Sequence, residues 1–373
     1  MAEVVALALR GGPAYVDAIR RVWDDGDAIA PLDPRLPRAA AEDVMAAIAP
    51  SAVIDHDGER RRLDGGLPVA DGDALVIATS GTTGRPKAVI HTHDAIAASA
   101  RATSLALDVD PATDRWLACL PLAHIGGLAV VLRAIVTDTP VEVHDGFDPD
   151  AVIDAAKRGA TLVSLVTRAL VQVPHDAFRT ILIGGAAPPP DRPANVIATY
   201  GMTESGSGVV YDRHPLDGVE IEIGPDEAVL LRGPMMFRAY RHDPRPFDAD
   251  GWFDTGDQGT IGPDGRLAVF GRRGDVIVTG GEKVWPAPVE AFLAERADIA
   301  EVALVGRPDP EWGHRVVAAV VPTTPGVAPD LDDVRRAVKE RFGVWCAPRA
   351  IELHAVLPKT SLGKIRRSAV QAP

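Results

Sequence analysis

Between residues 74 and 200 the chain alternates short apolar, β-branched runs with stretches in which apolar residues recur every three or four positions. Ala74 to Ala78, Arg115 to Leu120, Thr161 to Leu165, Thr180 to Ile183 and Val196 to Tyr200 are predicted strands; Asp94 to Leu107, Ile125 to Val136 and Pro149 to Arg158 are predicted helices. Such alternation implies α/β layers, with helices packed on sheets. From Val219 to Phe270 short strands are separated by turn signals at Gly224-Pro225, Asp250-Gly251 and Pro263-Asp264-Gly265, which indicates a β-rich subdomain. Beyond Gly271 a strand (Val276 to Val278), a helix (Pro288 to Arg296), two strands (Val302 to Val305, Arg315 to Val321), a helix (Leu331 to Arg341), a strand (Ile351 to Val356) and a basic tail follow. About a hundred residues suffice for a small α+β domain. The expected division is a large α/β domain over residues 1–271, with the β-rich part at 219–270, and a small α+β domain over 272–373.

Charge and cysteine content narrow the function. The net charge is −13 with no basic stripe, which argues against nucleic-acid binding. An anionic ligand would need cations gathered locally against that field, which singles out Arg85, Lys87, Arg272, Lys283 and Lys364. The two cysteines, Cys119 and Cys346, make neither a disulfide framework nor a zinc site, and a reducing compartment fits. Met1 to Leu9 is interrupted by Glu3, lacks a basic start and reaches Arg10 too soon for a signal peptide. Arg133 breaks the longest apolar run, around Leu128 to Val136. A soluble cytoplasmic protein is expected.

Six segments carry candidate chemistry. Thr79-Ser80-Gly81-Thr82-Thr83-Gly84-Arg85-Pro86-Lys87 packs hydroxyls, glycines and cations into one loop, a composition that can wrap a polyphosphate. It is not a P-loop, because Pro86 precedes Lys87 and Ala88 follows it; taken alone, a flexible Gly/Thr hairpin is the lesser alternative. Tyr200-Gly201-Met202-Thr203-Glu204 ends a predicted strand, where ligands sit in α/β sheets. Its ring can stack on a base, its hydroxyl can bond to a phosphate and its carboxylate can hold magnesium. Asp257 follows a glycine turn and can take both hydroxyls of a ribose, or else cap its own hairpin. Gly271 to Pro286 lies where the small domain begins, and Pro358 to Arg367 places Lys364 on a glycine-bearing loop. Pro121 to Gly127 puts His124 at a strand-to-helix junction, where a cap or packing role is the plain alternative.

In their order, these segments resemble the motifs of the adenylate-forming superfamily, which includes acyl- and aryl-CoA synthetases, peptide-synthetase adenylation domains and firefly luciferase. The resemblance runs from about Ala74 to Arg367. It implies an AMP-forming acid–thiol ligase using ATP, Mg2+ and CoA, in which a carboxylate attacks the α-phosphate and a thiol then displaces AMP. Carried onto this sequence, it makes Thr79, Ser80, Gly81, Thr82, Thr83, Gly84 and Lys87 the polyphosphate loop. Tyr200 stacks on adenine, Thr203 bonds to the α-phosphate, Glu204 helps hold magnesium, and Asp257 and Arg272 bind the ribose. Lys364 bridges the two reacting anions and His124 lies near the acyl carboxylate. Gly274 and Asp275 form the hinge, and Gly280, Gly281 and Glu282 the loop that enters the acyl site for the thiol step. Homodimerisation is a family-level expectation.

Within the superfamily the chain is similar to the o-succinylbenzoate–CoA ligases of menaquinone biosynthesis, in its abbreviated N-terminal region, in Thr161 to Thr167 and in Gly271 to Pro286. That substrate is a dianion of which only the succinyl carboxylate is activated, so the benzoate needs a cation or water. Arg168 is the candidate cation, Gly184, Gly185 and Ala186 a flat wall for the ring, and Met202 and Ser207 its edge. Four prolines between Ala186 and Asn195 exclude the helix the family places there, which shifts the expected pocket wall. Another aromatic or medium-chain acid, a carrier-protein acceptor, and a nucleotide- or acyl-adenylate-binding protein without turnover remain open.

Overall fold

The computed structural model describes residues 2–80, 86–185, 188–189, 191–243, 246–359 and 365–371, with the backbone alone for Ser80 and Ser368. Packing separates two compact units. One comprises Met1–Ile221, Leu231–Phe253 and Gly265–Leu267; the other comprises Glu222–Leu230, Asp254–Asp264 and Ala268–Pro373. By packing, therefore, much of the β-rich part groups with the C-terminal residues rather than with the large domain. Its strands Glu220–Ile223, Ala228–Arg232, Phe253–Ile261 and Leu267–Arg272 form one four-stranded sheet, whose backbone bonds hold those segments together.

The first unit contains two seven-stranded sheets. One runs in the order Ala239–Tyr240, Pro86–Thr92, Asp73–Ser80, Ala28–Pro31, Val4–Leu7, Ala52–Ile54, Arg60–Arg62. Its strands bury Val4, Ala28, Ala30, Val76, Ala88 and Ile90 with Ile48 of the helix Arg38–Ile48. The last strand is three consecutive exposed arginines. They bond to Glu3, Asp25, Asp27 and Asp55, and a charged edge of this kind resists pairing with another chain.

The second sheet runs His214–Pro215, Ser207–Tyr211, Val196–Met202, Thr180–Gly184, Leu162–Val166, Trp116–Ala118, Val141–Val143. From Val196–Met202 to Val141–Val143 all neighbours are parallel. Parallel strands are covered on both faces, which is why these runs are continuously apolar rather than alternating. Leu117, Val163, Leu165, Ile181, Ile183 and Val196 share a core with Val152 and Ala155 of the helix Pro149–Lys157. Each such side chain, fully buried, contributes roughly 1.5–3 kcal/mol of transfer free energy.

In the second unit the strands Ile299–Asp309, Gly313–Pro322 and Ala350–Leu353 form a three-stranded sheet. The helices Pro286–Leu293 and Leu331–Phe342 cover it, through Val289, Leu293, Val334 and Val338. Among the described residues no helix is long and apolar enough to cross a membrane.

Candidate active site

Four neighbouring parallel strands of the second sheet deliver their following residues to one edge. The chain leaves Trp116–Ala118 toward His124, Leu162–Val166 toward Arg168 and Thr180–Gly184 toward Gly185, while Val196–Met202 ends in Tyr200 to Glu204. Carboxyl ends of parallel strands are where open α/β sheets hold their ligands. The fold thus gathers His124, Arg168, Gly184, Gly185, Tyr200, Met202, Thr203 and Glu204, which in sequence are spread over eighty residues. Ser207 joins them by pairing opposite Met202.

The turn at the end of this strand is tightly specified. A bulge falls between Tyr200 and Gly201, and a Cβ on Gly201 would lie 2.1 Å from the Ser207 carbonyl oxygen, so no side chain fits there. Fully buried Ser205 ties the turn together: its Oγ accepts the Met202 N–H at 2.9 Å and lies 2.8 Å from the Ser207 carbonyl oxygen. The Thr203 carbonyl lies 2.7 Å from His91 Nε2, and the Glu204 carbonyl accepts the Phe237 N–H at 2.8 Å. The Glu204 carboxylate accepts the Tyr240 hydroxyl at 2.8 Å on Oε1. Among the described residues Oε2 of Glu204 and the hydroxyl of Thr203 take no hydrogen bond.

The candidate phosphate loop belongs to the first sheet. Asp73–Ser80 and Pro86–Thr92 are antiparallel, with Thr79 opposite Lys87 and Ser80 opposite Pro86, so the loop closes a hairpin and opens no helix. That is the physical distinction from a P-loop. Gly81, Thr82, Thr83 and Gly84 lie outside the described residues. Lys87 Nζ sits 4.9 Å from the centroid of Tyr240, the ring whose hydroxyl holds Glu204. Tyr240 reaches this place because Ala239–Tyr240 pairs with Pro86–Thr92. Arg238 secures that pairing with two 2.7 Å bonds to the buried carboxylate of Asp73.

His124 is the residue before the helix Ile125–Val136 and makes no side-chain cap to it. The close packing below it needs glycine, since a Cβ on Gly127 would meet the Leu120 and Pro121 carbonyl oxygens at 2.5 Å. Arg168 stands exposed on the single-turn helix Thr167–Leu170. A Cβ on Gly184 would lie 2.8 Å from Thr199 Oγ1, and Gly185 has φ 84°, so both positions suit a bare backbone wall. Ala186 lies outside the described residues. The described part of 188–195 contains no helix, and Arg192 and Asn195 pin it: Arg192 bonds to the Val196 carbonyl and Asp212, Asn195 to the His175 and Phe178 carbonyls.

Asp257 and Arg272 belong to the second unit, where they form an ion pair at 2.9 Å, and Arg272 also donates to the Thr255 carbonyl at 2.6 Å. Gly274 and Asp275 fall in the short 3-10 turn Arg273–Asp275, with Asp275 3.5 Å from Arg367. Gly280 and Gly281, at φ 58° and 86°, make the two-residue hairpin turn between Ile277–Thr279 and Glu282–Val284. Lys364 lies outside the described residues.

Sequence reasoning did not single out His91, Ser205, Arg238 or Tyr240. For His91 a signal existed: it is a polar residue inside the apolar strand Pro86–Thr92, on the face it shares with Lys87. Burial pushes its imidazole down to about 4, so the ring is neutral at pH 7. Cys119, also buried, is pushed up to about 12, which removes it as a nucleophile.

Comparison with known proteins defines the class. Residues 66–229 match the AMP-binding enzyme family and residues 288–364 match the AMP-binding enzyme C-terminal domain. The chain belongs to the AMP-binding enzyme family, and is an AMP-forming acid–CoA ligase. It is 37% identical over 370 residues to a probable 2-succinylbenzoate–CoA ligase of Mycobacterium tuberculosis, covering 92% of this chain and 95% of that one. An indoleacetate–CoA ligase of Aromatoleum aromaticum is 33% identical over 341 residues, or 80% of this chain and 66% of that one. The o-succinylbenzoate CoA synthetase of Bacillus subtilis, solved with the acyl-adenylate intermediate, superposes with a TM-score of 0.88 at 26% identity. That superposition covers 100% of this chain and 88% of the other.

Proposed function

We propose that the chain activates o-succinylbenzoate with ATP and passes the acyl group to CoA, giving o-succinylbenzoyl-CoA, AMP and pyrophosphate. The observation that carries this reading is the tethered turn Met202–Ser207. It presents the Thr203 hydroxyl, which takes no hydrogen bond among the described residues, and an aimed Glu204 carboxylate at the carboxyl edge of a parallel sheet, beside Lys87 and Tyr240. The likeness over 92% of the chain to a relative named for this acid supports the choice of substrate.

The donor set fits magnesium, which takes hard oxygen ligands and is held by one or two carboxylates together with phosphates. Glu204 is such a carboxylate, and the ion would neutralise charge on the phosphates. Tyr200 stacks on adenine, and Asp257 with its partner Arg272 binds the ribose. Thr203 donates to an α-phosphate oxygen. Thr79, Ser80, Gly81, Thr82, Thr83, Gly84 and Lys87 hold the leaving pyrophosphate. The attacking carboxylate and the α-phosphate repel each other, and Lys364, a flexible point charge, stabilises the pentavalent state between them. His124 sits at the acyl carboxylate. The ring of the acid lies on Gly184, Gly185 and Ala186 with Met202 and Ser207 at its edge, and Arg168 takes the benzoate charge.

For the second half-reaction we propose that rotation at Gly274 and Asp275 withdraws Lys364, and that Gly280, Gly281 and Glu282 then line the thiol's approach. We propose that the boundary for that motion falls at 271/272, which differs from the division by packing. A cytoplasmic homodimer completes the reading.

AMP release dependent on CoA, measured over a panel of carboxylic acids, tests it. o-Succinylbenzoate should give the highest kcat/KM. The indoleacetate–CoA ligase likeness favours a second reading, another arylacetic or aromatic acid, and a panel led by such an acid would replace the first.

A further inference from the structure

The chemistry above leaves His91 without a task, although nothing about its position is accidental in energetic terms. Its neighbours Ala88, Val89 and Ile90 are apolar and buried, and the imidazole itself is 0% exposed. Burying a ring nitrogen without a partner is costly, so an aliphatic side chain would serve packing better. One nitrogen is engaged, at 2.7 Å from the Thr203 carbonyl oxygen. A carbonyl oxygen only accepts, so Nε2 carries the proton and Nδ1 is the lone-pair side. Nδ1 has no partner among the described residues, and the ring lines a small cavity with Ser99, Ile125, Arg133 and Gly206.

The strand Pro86–Thr92 therefore grips the Thr203–Glu204 turn in two ways. His91 holds the Thr203 carbonyl directly. Two and four residues earlier on the same face, Val89 pairs with Tyr240 and Lys87 lies over its ring, and the Tyr240 hydroxyl holds Glu204. We propose that His91 is a positioning residue for adenylate formation, fixing the Thr203 carbonyl so that the Thr203 hydroxyl and the Glu204 carboxylate keep their spacing from the hairpin that ends at Lys87. This rests on the assignment of Thr203 and Glu204 to ATP. A direct tie matters because an error of about 1 Å at reacting groups costs up to roughly 100-fold in rate.

The test compares wild type, His91→Leu and His91→Gln of the full chain in two half-reactions. One is acid-dependent ATP–pyrophosphate exchange; the other is thioester formation from preformed acyl-adenylate and CoA. Leu keeps the volume and loses the donor, whereas the Gln amide nitrogen can occupy the Nε2 position. Exchange should fall about 10- to 100-fold in His91→Leu, with thioester formation changed by less than about threefold, and His91→Gln should recover exchange to within about threefold. Wild-type exchange in His91→Leu, or equal loss in both half-reactions with no recovery by Gln, would overturn the proposal. If His91→Leu does not fold, nitrogen-15 spectra of wild type against His91→Gln decide it. The resonance lost should belong to a ring protonated on Nε2, and protonation on Nδ1 would refute the tie. Absence of exchange in the wild type with every acid of the panel would instead sink the functional reading on which this one rests.

Discussion

Glu204 owes its aim to Tyr240, thirty-six residues further along the chain, and Thr203 owes its backbone position to His91, more than a hundred residues before it. The motif Tyr200 to Glu204 was legible as chemistry because hydroxyl, carboxylate and aromatic ring crowd one strand end. Its supports were not, since a tyrosine or a histidine inside a short apolar strand announces no partner. Arg168 is the opposite case. It was legible as a cation beyond a strand, and it stands exposed on the short helix that follows. An exposed guanidinium that meets a second carboxylate should discriminate between acids more than it drives the reaction. Arg168→Ala should accordingly raise KM for o-succinylbenzoate about tenfold, close to 1.4 kcal/mol, and leave a monocarboxylate analogue nearly unchanged. Steady-state kinetics on the two acids checks this, and equal effects would remove Arg168 from the pocket.

Elements buried on both faces were the easiest to read. Ile125–Val136 appears with its expected bounds, Thr180–Gly184 runs one residue longer than expected, and Leu162–Val166 is shifted by one residue at each end, because apolar residues dominate these runs. Pro286–Leu293 begins two residues earlier than expected, since Pro286 suits a first helical turn where no N–H is needed. The strand Pro86–Thr92 went unread because it starts at a proline and a lysine that look like loop. Its pairing with the two-residue strand Ala239–Tyr240 spans some 150 residues, beyond any local pattern. That pairing depends on the buried carboxylate of Asp73 and the fork of Arg238. Arg238→Met would strand the carboxylate with, among the described residues, only the Ala70 N–H as a donor, and should cost about 3 kcal/mol in urea unfolding. With Ala239–Tyr240 loosened, the KM for MgATP should rise as well. A stable variant with unaltered MgATP dependence would mean that this pairing does not position Glu204.

At the scale of the whole molecule, the proposed binding of ATP, a dianionic acid and CoA by a chain of net charge −13 requires cations concentrated at chosen points. Many arginines do not contribute to that concentration; Arg60, Arg61 and Arg62 are engaged with carboxylates at a sheet edge. Lys364 is the cation assigned to the reacting centre, and its role separates the two half-reactions. Lys364→Ala should lower adenylation by at least about 100-fold yet retain thioester formation from preformed acyl-adenylate and CoA; comparable losses in both would contradict the assignment. The central claim is that the succinyl carboxylate of o-succinylbenzoate attacks the α-phosphate of ATP. The direct measurement is a turnover of o-succinylbenzoate labelled with oxygen-18 in that carboxylate alone, with mass spectrometry of the nucleotide product. One labelled oxygen should appear in the AMP phosphate. Unlabelled AMP, or a nucleotide product other than AMP, would contradict the account.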